Sequence, residues 1–173
     1  MIIGNPYKFS IFVQEIKEWN PEGTSFRNGV LLFSIDGELF PKQVTTATLS
    51  SEMGSLKELL TNVDINEQLF NMSKEDAFIE MYNITFPRWN PDMKDDEVVY
   101  NDYRYFLTPT SFSDLDYYVY AVSDGTKVRI LAAKLNYIAE ESIHDLSELE
   151  ISETIITKDE LKQINDKLFS FLQ

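Results

Sequence analysis

Cysteine is absent from this 173-residue sequence, and histidine occurs only once. Without cysteine the chain has no disulfides, no thiolate metal sites and no cysteine nucleophile. With a single histidine, the residue that most often transfers protons in enzymes is nearly missing as well. We therefore expect a protein that acts by binding and is not an enzyme, with neither a cofactor nor a metal.

Glycine clusters and long apolar runs are also missing. The six glycines stand far apart, which excludes the glycine-rich phosphate loops of common nucleotide sites. The longest apolar runs, residues 30–33 and 130–133, have strand length and fall far short of the roughly 20 residues that span a bilayer. Ser10 and Gln14 interrupt the N-terminal apolar stretch, so no secretion signal is predicted. We expect a cytoplasmic protein that does not enter membranes.

Negative charge is what the sequence has in excess. It carries 29 Asp and Glu against 15 Lys and Arg, a formal net charge of −14. Phosphates of nucleic acids and anionic lipid headgroups repel such a surface, because both kinds of binding depend on Lys and Arg. A basic protein is the partner that this charge favours, since complementary fields speed encounter and select against wrong partners.

The hydrophobic pattern predicts one domain, residues 1–173, with an α+β fold built on a largely antiparallel sheet. Asp36-Gly37 and Asp124-Gly125 are typical of two-residue hairpin turns between apolar runs. Period-two alternation and β-rich composition predict strands at residues 8–19, 29–35, 38–40, 98–107, 116–123, 126–135 and 150–156.

Helical spacing appears in the middle and at the C-terminus. Leu56, Leu59 and Leu60 predict one helix. Ser73 with Asp76, and Thr157 with Glu160, have the spacing of N-terminal caps ahead of two more. The C-terminal helix is amphipathic and is expected to pack on the sheet.

Two segments combine tyrosine with carboxylates, at residues 100–106 and 114–120, and an acidic stretch precedes the first. Tyrosine is a frequent anchor of protein interfaces, and carboxylates around it would meet Arg and Lys on a basic partner. On a strand, however, every second side chain points inward, so at least half of these tyrosines should pack in the core. The predicted partner-binding residues are Asp95, Asp96, Glu97, Tyr100, Asp102, Tyr103, Tyr105, Asp114, Asp116 and Tyr117.

Two alternatives from another class remain open. Asp92, Asp95, Asp96 and Glu97 concentrate the oxygen ligands that calcium or magnesium prefers, although their spacing differs from an EF-hand. Paired carboxylates are also the catalytic groups of glycosidases. A small acidic metal- or ligand-binding domain, or a carboxylate-based hydrolase, is thus the rival interpretation. His144 with Ser142 or Ser147 is a weak candidate for nucleophilic chemistry, and a histidine in a loop or at a helix end is the expected alternative.

Several segments that lie in both predicted hairpins and near the N-terminus carry a family resemblance. They are Ile3-Gly4-Asn5-Pro6-Tyr7-Lys8-Phe9, Glu18-Trp19-Asn20, Asn28-Gly29-Val30, Ile35-Asp36-Gly37-Glu38-Leu39-Phe40-Pro41 and Arg129-Ile130-Leu131-Ala132-Ala133-Lys134-Leu135-Asn136-Tyr137. In this pattern the chain resembles immunity protein family 42, bacterial immunity proteins of polymorphic toxin systems. The resemblance implies a cytoplasmic protein that binds a cognate toxin domain and blocks it, and together with the charge and the tyrosine-carboxylate segments it leads us to expect one-to-one occlusion. A basic cleft on that toxin, as in a nuclease, would suit the charge of this chain.

Overall fold

A computed structural model describes residues 1–23, 25–88, 92, 94 and 99–172. Its strands are β1 Ile2–Gly4, β2 Phe9–Glu15, β3 Asn28–Ile35, β4 Glu38–Phe40, β5 Ala47–Thr48, β6 Tyr117–Ser123, β7 Lys127–Lys134, β8 Asn136–Ile138, β9 Ile143–Asp145 and β10 Ser152–Thr157. Its helices are α1 Leu49–Thr61, α2 Glu67–Asn71, α3 Lys74–Thr85, α4 Thr110–Ser113 and α5 Lys158–Leu172. The expected α+β class with antiparallel sheets and a C-terminal helix is confirmed.

The first sheet has the strand order β1-β2-β3-β4, and β5 also pairs with β3. The alternation along β2 and β3 places Phe9, Ile11, Val13, Leu31 and Phe33 on one face, where all are buried. These side chains form the main core together with residues of α1, of α5 and of a second sheet, formed by β6, β7 and β10, which we call the central sheet. Burial of one face explains why this register is fixed, since a shift by one residue would expose the whole set.

The central sheet has the order β10-β7-β6 and separates two cores. Val119 and Ile130 face the main core, whereas Tyr120 and Leu131 face a second core. The second core is completed by side chains of α2 and α3, among them Phe78. Because both of its faces are buried, β6 reads as an unbroken apolar run. From one side of the protein to the other, the layers are therefore the first sheet, the central sheet, and a layer formed by α2 and α3.

Local signals in the sequence account for most of the boundaries. Asp36 and Gly37 both have positive φ, as a type I′ hairpin turn requires. Ser73 accepts a hydrogen bond from the Asp76 backbone N–H, and Thr157 exchanges capping bonds with Glu160. In the second hairpin Ser123 pairs with Val128, which moves the turn one residue beyond the predicted Asp124-Gly125 pair.

Three expectations about local structure were wrong. The predicted strand at residues 98–107 is irregular in its described part, residues 99–107, and forms only one bridge there, from Phe106 to Tyr120. A turn at Tyr103–Phe106, closed by a hydrogen bond from the Phe106 N–H to the Tyr103 carbonyl, precedes the short contact of residues 105–107 with β6. The predicted strand at residues 8–19 ends at Glu15, and Lys17–Trp19 forms a 3-10 turn. His144 lies on a strand, β9, and not in a loop or at a helix end.

Candidate partner-binding face

The ten residues predicted to bind a partner fall into three groups. Asp95, Asp96 and Glu97 lie outside the described residues. Tyr105 and Tyr117 are each 5% exposed and belong to the two cores. The other five lie at the surface. Tyr100 and Tyr103 are 80% and 50% exposed, Asp114 is also exposed, and Asp102 and Asp116 are half-buried. With Tyr118 and Tyr120 also buried, four of the six tyrosines in the two segments pack in the core, as expected.

The two acidic and aromatic segments are joined by a chain of ring contacts. Phe86, at the end of α3, stands 6.2 Å from Tyr103 and 5.8 Å from Tyr118, measured between ring centroids. Tyr118 lies 5.1 Å from the His144 ring, which lies 5.3 Å from Tyr137. We call these five residues the aromatic row. It begins and ends on exposed tyrosines, because Tyr103 and Tyr137 are 50% and 52% exposed.

His144 holds the middle of the aromatic row through both ring nitrogens. Its Nδ1 lies 2.7 Å from the Tyr82 hydroxyl, and its Nε2 lies 3.0 Å from Asp116 Oδ1. A neutral ring satisfies this arrangement when the Tyr82 O–H donates to Nδ1 and Nε2–H donates to Asp116. Neither ring nitrogen is bonded to Ser142 or Ser147, and the Ser147 hydroxyl donates to Asp145 instead. The histidine therefore ties β9 to α3 and to the start of β6.

The tyrosines beside His144 are held in their neutral form. The pKa of Tyr82 is raised to about 12, mainly by burial and then by the neighbouring Tyr118 and Asp116. The pKa of Tyr118 is also raised to about 12, again mainly by burial and then by Asp116 and Asp114. Both hydroxyls consequently remain hydrogen-bond donors at any physiological pH.

A cleft of about 320 Å³ opens along the aromatic row. Tyr118, Tyr137, Phe86 and His144 form its aromatic walls, and Arg88 also lines it. Aromatic walls with a few polar groups are typical of a site that receives an anchoring side chain from a partner.

The β8–β9 hairpin forms one wall of this cleft and was missed in the sequence. Tyr137 pairs with His144 across it, and its tip carries Glu140 and Glu141. The chain has neither Lys nor Arg between Lys134 and Lys158. This absence of positive charge is a signal in the sequence that could have indicated an acidic surface segment here. The strands escaped prediction because three-residue strands leave too little alternation to count. We call the aromatic row together with this acidic hairpin, Asp114 and Asp116 the acidic-aromatic face.

A buried arginine supports the helices beneath this face. Arg129, on β7, is 5% exposed and donates to the backbone carbonyls of Leu69, Phe70 and Met72 at the end of α2. Its other nitrogens donate to Glu153 Oε2 at 2.6 and 3.1 Å. Arg129 thus satisfies carbonyls that a helix end leaves without partners, and it joins α2 to the central sheet.

The rival metal site is only partly covered by the structure, because three of its four carboxylates lie outside the described residues. Across residues 1–23, 25–88, 92, 94 and 99–172, no three His, Asp or Glu side chains are grouped so that they would hold a metal ion. Among the helices in those ranges, none has the length and apolar character needed to cross a bilayer.

Comparison with known proteins gives one family and one structure. The family model described as immunity protein 42 matches residues 1–171. A crystal structure of CdiI from Burkholderia dolosa AUO158 has a TM-score of 0.77 and 22% sequence identity to this chain, and the match covers 99% of each chain. At that identity the similarity shows the fold. No curated protein matches the chain.

Proposed function

Because the chain belongs to the immunity protein 42 family, we propose that it neutralises its cognate toxin by one-to-one occlusion and that the acidic-aromatic face is the surface that binds. Toxin-neutralising immunity is the function of the family, so the resemblance noted in the sequence is confirmed at that level. The stoichiometry, the binding face and the chemistry of the toxin are the parts that we add.

The observation that carries this proposal is the aromatic row with its two exposed ends. Tyr103 and Tyr137 each present about half of their side chain, on a base of rings fixed by His144. Rigid tyrosines lose little side-chain entropy on binding and are enriched among the residues that dominate binding energy. Asp114, Glu140 and Glu141 are exposed. Glu140 and Glu141 lie at the tip of the hairpin that carries Tyr137 and His144, and Asp114 acts on Tyr118, so these carboxylates would belong to the polar rim of the interface.

The charge of the face favours a basic toxin surface. Encounter with such a surface would be accelerated by the field of the whole chain, whose net charge is −14. Nucleases commonly present a basic cleft to their substrate, and we propose a nuclease as the toxin class to test first. On this view the chain acts stoichiometrically in the cytoplasm of the producing cell and carries out no chemistry of its own.

The first experiment is capture of the tagged protein from its own bacterium at moderate salt, followed by mass spectrometry and by the molar ratio of the purified complex. We expect one toxin domain per chain. That domain should stop growth when expressed alone and be harmless when co-expressed with this chain. A complex with two chains per toxin, or a partner that is not toxic, would contradict one-to-one neutralisation.

The binding face is tested with Tyr137→Ala and its matched control Tyr7→Ala. Tyr137 is 52% exposed on the acidic-aromatic face, and Tyr7 is 82% exposed in the turn between β1 and β2. An anchoring tyrosine costs about 2 kcal/mol when truncated, so Tyr137→Ala should weaken toxin binding about 30-fold. Tyr7→Ala should leave it unchanged. Equal effects of the two variants would place the toxin elsewhere.

A further inference from the structure

The side of the first sheet that faces away from the main core is unusual for a solvated surface. Alternation along β1, β2 and β3 places Ile2, Phe12 and Leu32 on this side, and they face one another across the three strands. Val30 and Leu39 lie on the same side, on β3 and β4. We call this side the outer face. Antiparallel sheets with one solvated side usually carry polar residues there.

No charged residue stands among the outward positions of the paired segments of β1 to β3. Besides the apolar residues, those positions hold Gly4, Ser10, Gln14, Asn28 and Ser34, of which Ser10 and Ser34 are buried. About a quarter of the whole chain is charged, and its net charge is −14, so the outer face departs strongly from the rest of the surface. An uncharged apolar patch on so acidic a protein is a candidate for contact with another molecule.

The described part of the chain does not cover the outer face with a hydrophobic layer. Phe12, Val30 and Leu32 belong to neither core, nor do Phe12 and Leu32 pack against either core from outside. Ile2 and Leu39 are 59% and 51% exposed, and Phe12 and Leu32 are half-buried. Ile2, Phe12, Leu32 and Leu39 are therefore available to another molecule, whereas Val30, at 8% exposed, is covered by the chain itself.

We propose that the outer face binds a second copy of this chain, in a weak two-fold dimer formed by packing one first sheet against another. Two copies with a net charge of −14 repel each other wherever carboxylates would meet. The repulsion is smallest where the facing surfaces carry no charge, and the outer face provides such a surface on both copies. A basic partner gains nothing there, because an uncharged surface offers no field to complement.

The size of the outer face limits the strength of this dimer. β2 and β3 pair over seven residues and β1 adds three, so the patch fills only part of a rectangle of about 15 by 23 Å and is smaller than roughly 350 Å². A stable interface buries about 800 Å² on each partner. The dimer should therefore dissociate on dilution, with a dissociation constant of tens to hundreds of micromolar. A two-fold arrangement also pairs like with like, as an apolar sheet surface allows.

Sedimentation velocity of the purified chain, from about 5 to 500 μM, tests the proposal. The mass should rise with concentration from that of the 20.1 kDa chain toward twice that value. Raising the salt from about 0.05 to 0.5 M should shift this rise to lower concentrations, because salt screens the repulsion between the two copies. Toxin association through the acidic-aromatic face should respond to salt in the opposite direction. The two contacts can therefore be told apart.

Ile2→Glu and Leu39→Glu place a carboxylate at exposed positions of the outer face, where folding tolerates it. Each should raise the dimer dissociation constant at least tenfold. Ile65→Glu is the matched control, since Ile65 is 61% exposed and lies just before α2. It should leave the dimer intact. A monomer at every concentration and salt, or equal weakening by Ile65→Glu, would overturn the proposal.

Toxin binding by the same variants makes the outcome independent of the proposed function. We expect Ile2→Glu and Leu39→Glu to bind the captured toxin as tightly as the original chain does. If they remain folded and lose toxin binding instead of dimerisation, the outer face is the toxin's surface and the second copy is excluded.

Discussion

Two surfaces of this protein, on opposite sides of its central sheet, differ in the charge and polarity of their side chains. The outer face of the first sheet carries apolar and small polar residues, with Ile2 and Leu39 exposed. The acidic-aromatic face carries carboxylates around exposed tyrosines such as Tyr137. Net charge alone, at −14, describes neither surface.

From this difference we infer that the placement of charge matters more for the choice of partner than its total does. A charged rim around rigid rings suits a partner of opposite charge, for which long-range attraction speeds association. An uncharged sheet suits a partner that the field would otherwise repel. The two sides also differ in support, since the first sheet rests on the main core, whereas the acidic-aromatic face rests on the second core and on a single buried arginine.

The largest effect is expected from removing that arginine. Arg129→Ala leaves Glu153 and three carbonyls at the end of α2 without their donor, and removing one member of a buried pair costs about 3 kcal/mol or more. Urea denaturation should show this loss. Hydrogen exchange should place the lost protection in α2 and α3, with the first sheet less affected.

Arg104→Ala is the control for this variant. Arg104 pairs with Asp102 at 2.8 Å in an exposed position, where solvent screens the interaction. Its removal should leave the unfolding midpoint unchanged. Uniform loss of protection in Arg129→Ala, across both sheets, would mean that the two sides unfold as one unit and do not differ in support.

A second variant tests the charge on the acidic-aromatic face. Glu140→Gln combined with Glu141→Gln removes two charges from the hairpin tip. Association with a basic toxin should slow roughly three- to tenfold at low salt, and dissociation should change little, because rim charges act on encounter. Stopped-flow association at two salt concentrations measures the effect.

The matched control is Glu18→Gln with Glu22→Gln, which removes the same charge from exposed positions near the first sheet. Its association rate should change much less. If both double variants slow association equally, then the total charge matters and the placement of the charge does not.

Substitutions at the helix caps offer another comparison of the two sides, with smaller expected losses in the free energy of unfolding. Ser73 caps α3 in the second core, and Thr157 caps α5 against the main core. Replacing either residue with alanine should lower the free energy of unfolding by about 1 kcal/mol. Thermal or urea unfolding measures both variants. A loss above about 2 kcal/mol for either would show a role beyond capping.

Alkaline pH should act on the acidic-aromatic side. The pKa of Tyr82 is raised from 10.0 to about 12, so its contribution to stability is fully present below pH 10 and is lost as pH rises toward 12. The unfolding free energy should fall over that range. Tyr82→Phe should make the fall shallower, although it also removes the bond to His144. Equal slopes for the variant and the original chain would contradict this cause.

Prediction from the sequence succeeded where the signal was local. The Asp36-Gly37 turn, the caps at Ser73 and Thr157, and the two long hairpins depend on residues that are near neighbours in the chain. It failed at residues 99–107, where aromatic composition resembled a strand. There Tyr103 and Phe106 pack against Phe86 of α3, a contact with a residue distant in the chain.

Less of the candidate site was predictable. The two tyrosine-rich segments were identified, and Tyr103 and Asp116 are connected to the β8–β9 hairpin, Tyr103 through the aromatic row and Asp116 through His144. Tyr105 and Tyr117 are buried, because alternation assigns a side chain to a face without saying which face another layer covers. Tyr137 and the β8–β9 hairpin were not predicted. Strands this short are stabilised by the residues against which they pack, and the local sequence pattern does not reveal those contacts.

By itself, the sequence determined the class of fold, the Asp36-Gly37 turn, the caps and the acidic character. Those properties follow from backbone preferences and composition, which act over a few residues or over the whole chain. Only the tertiary structure decided which tyrosines are exposed, what His144 holds together, and that one sheet surface carries no charge. These depend on which layers meet, and packing between distant segments decides that.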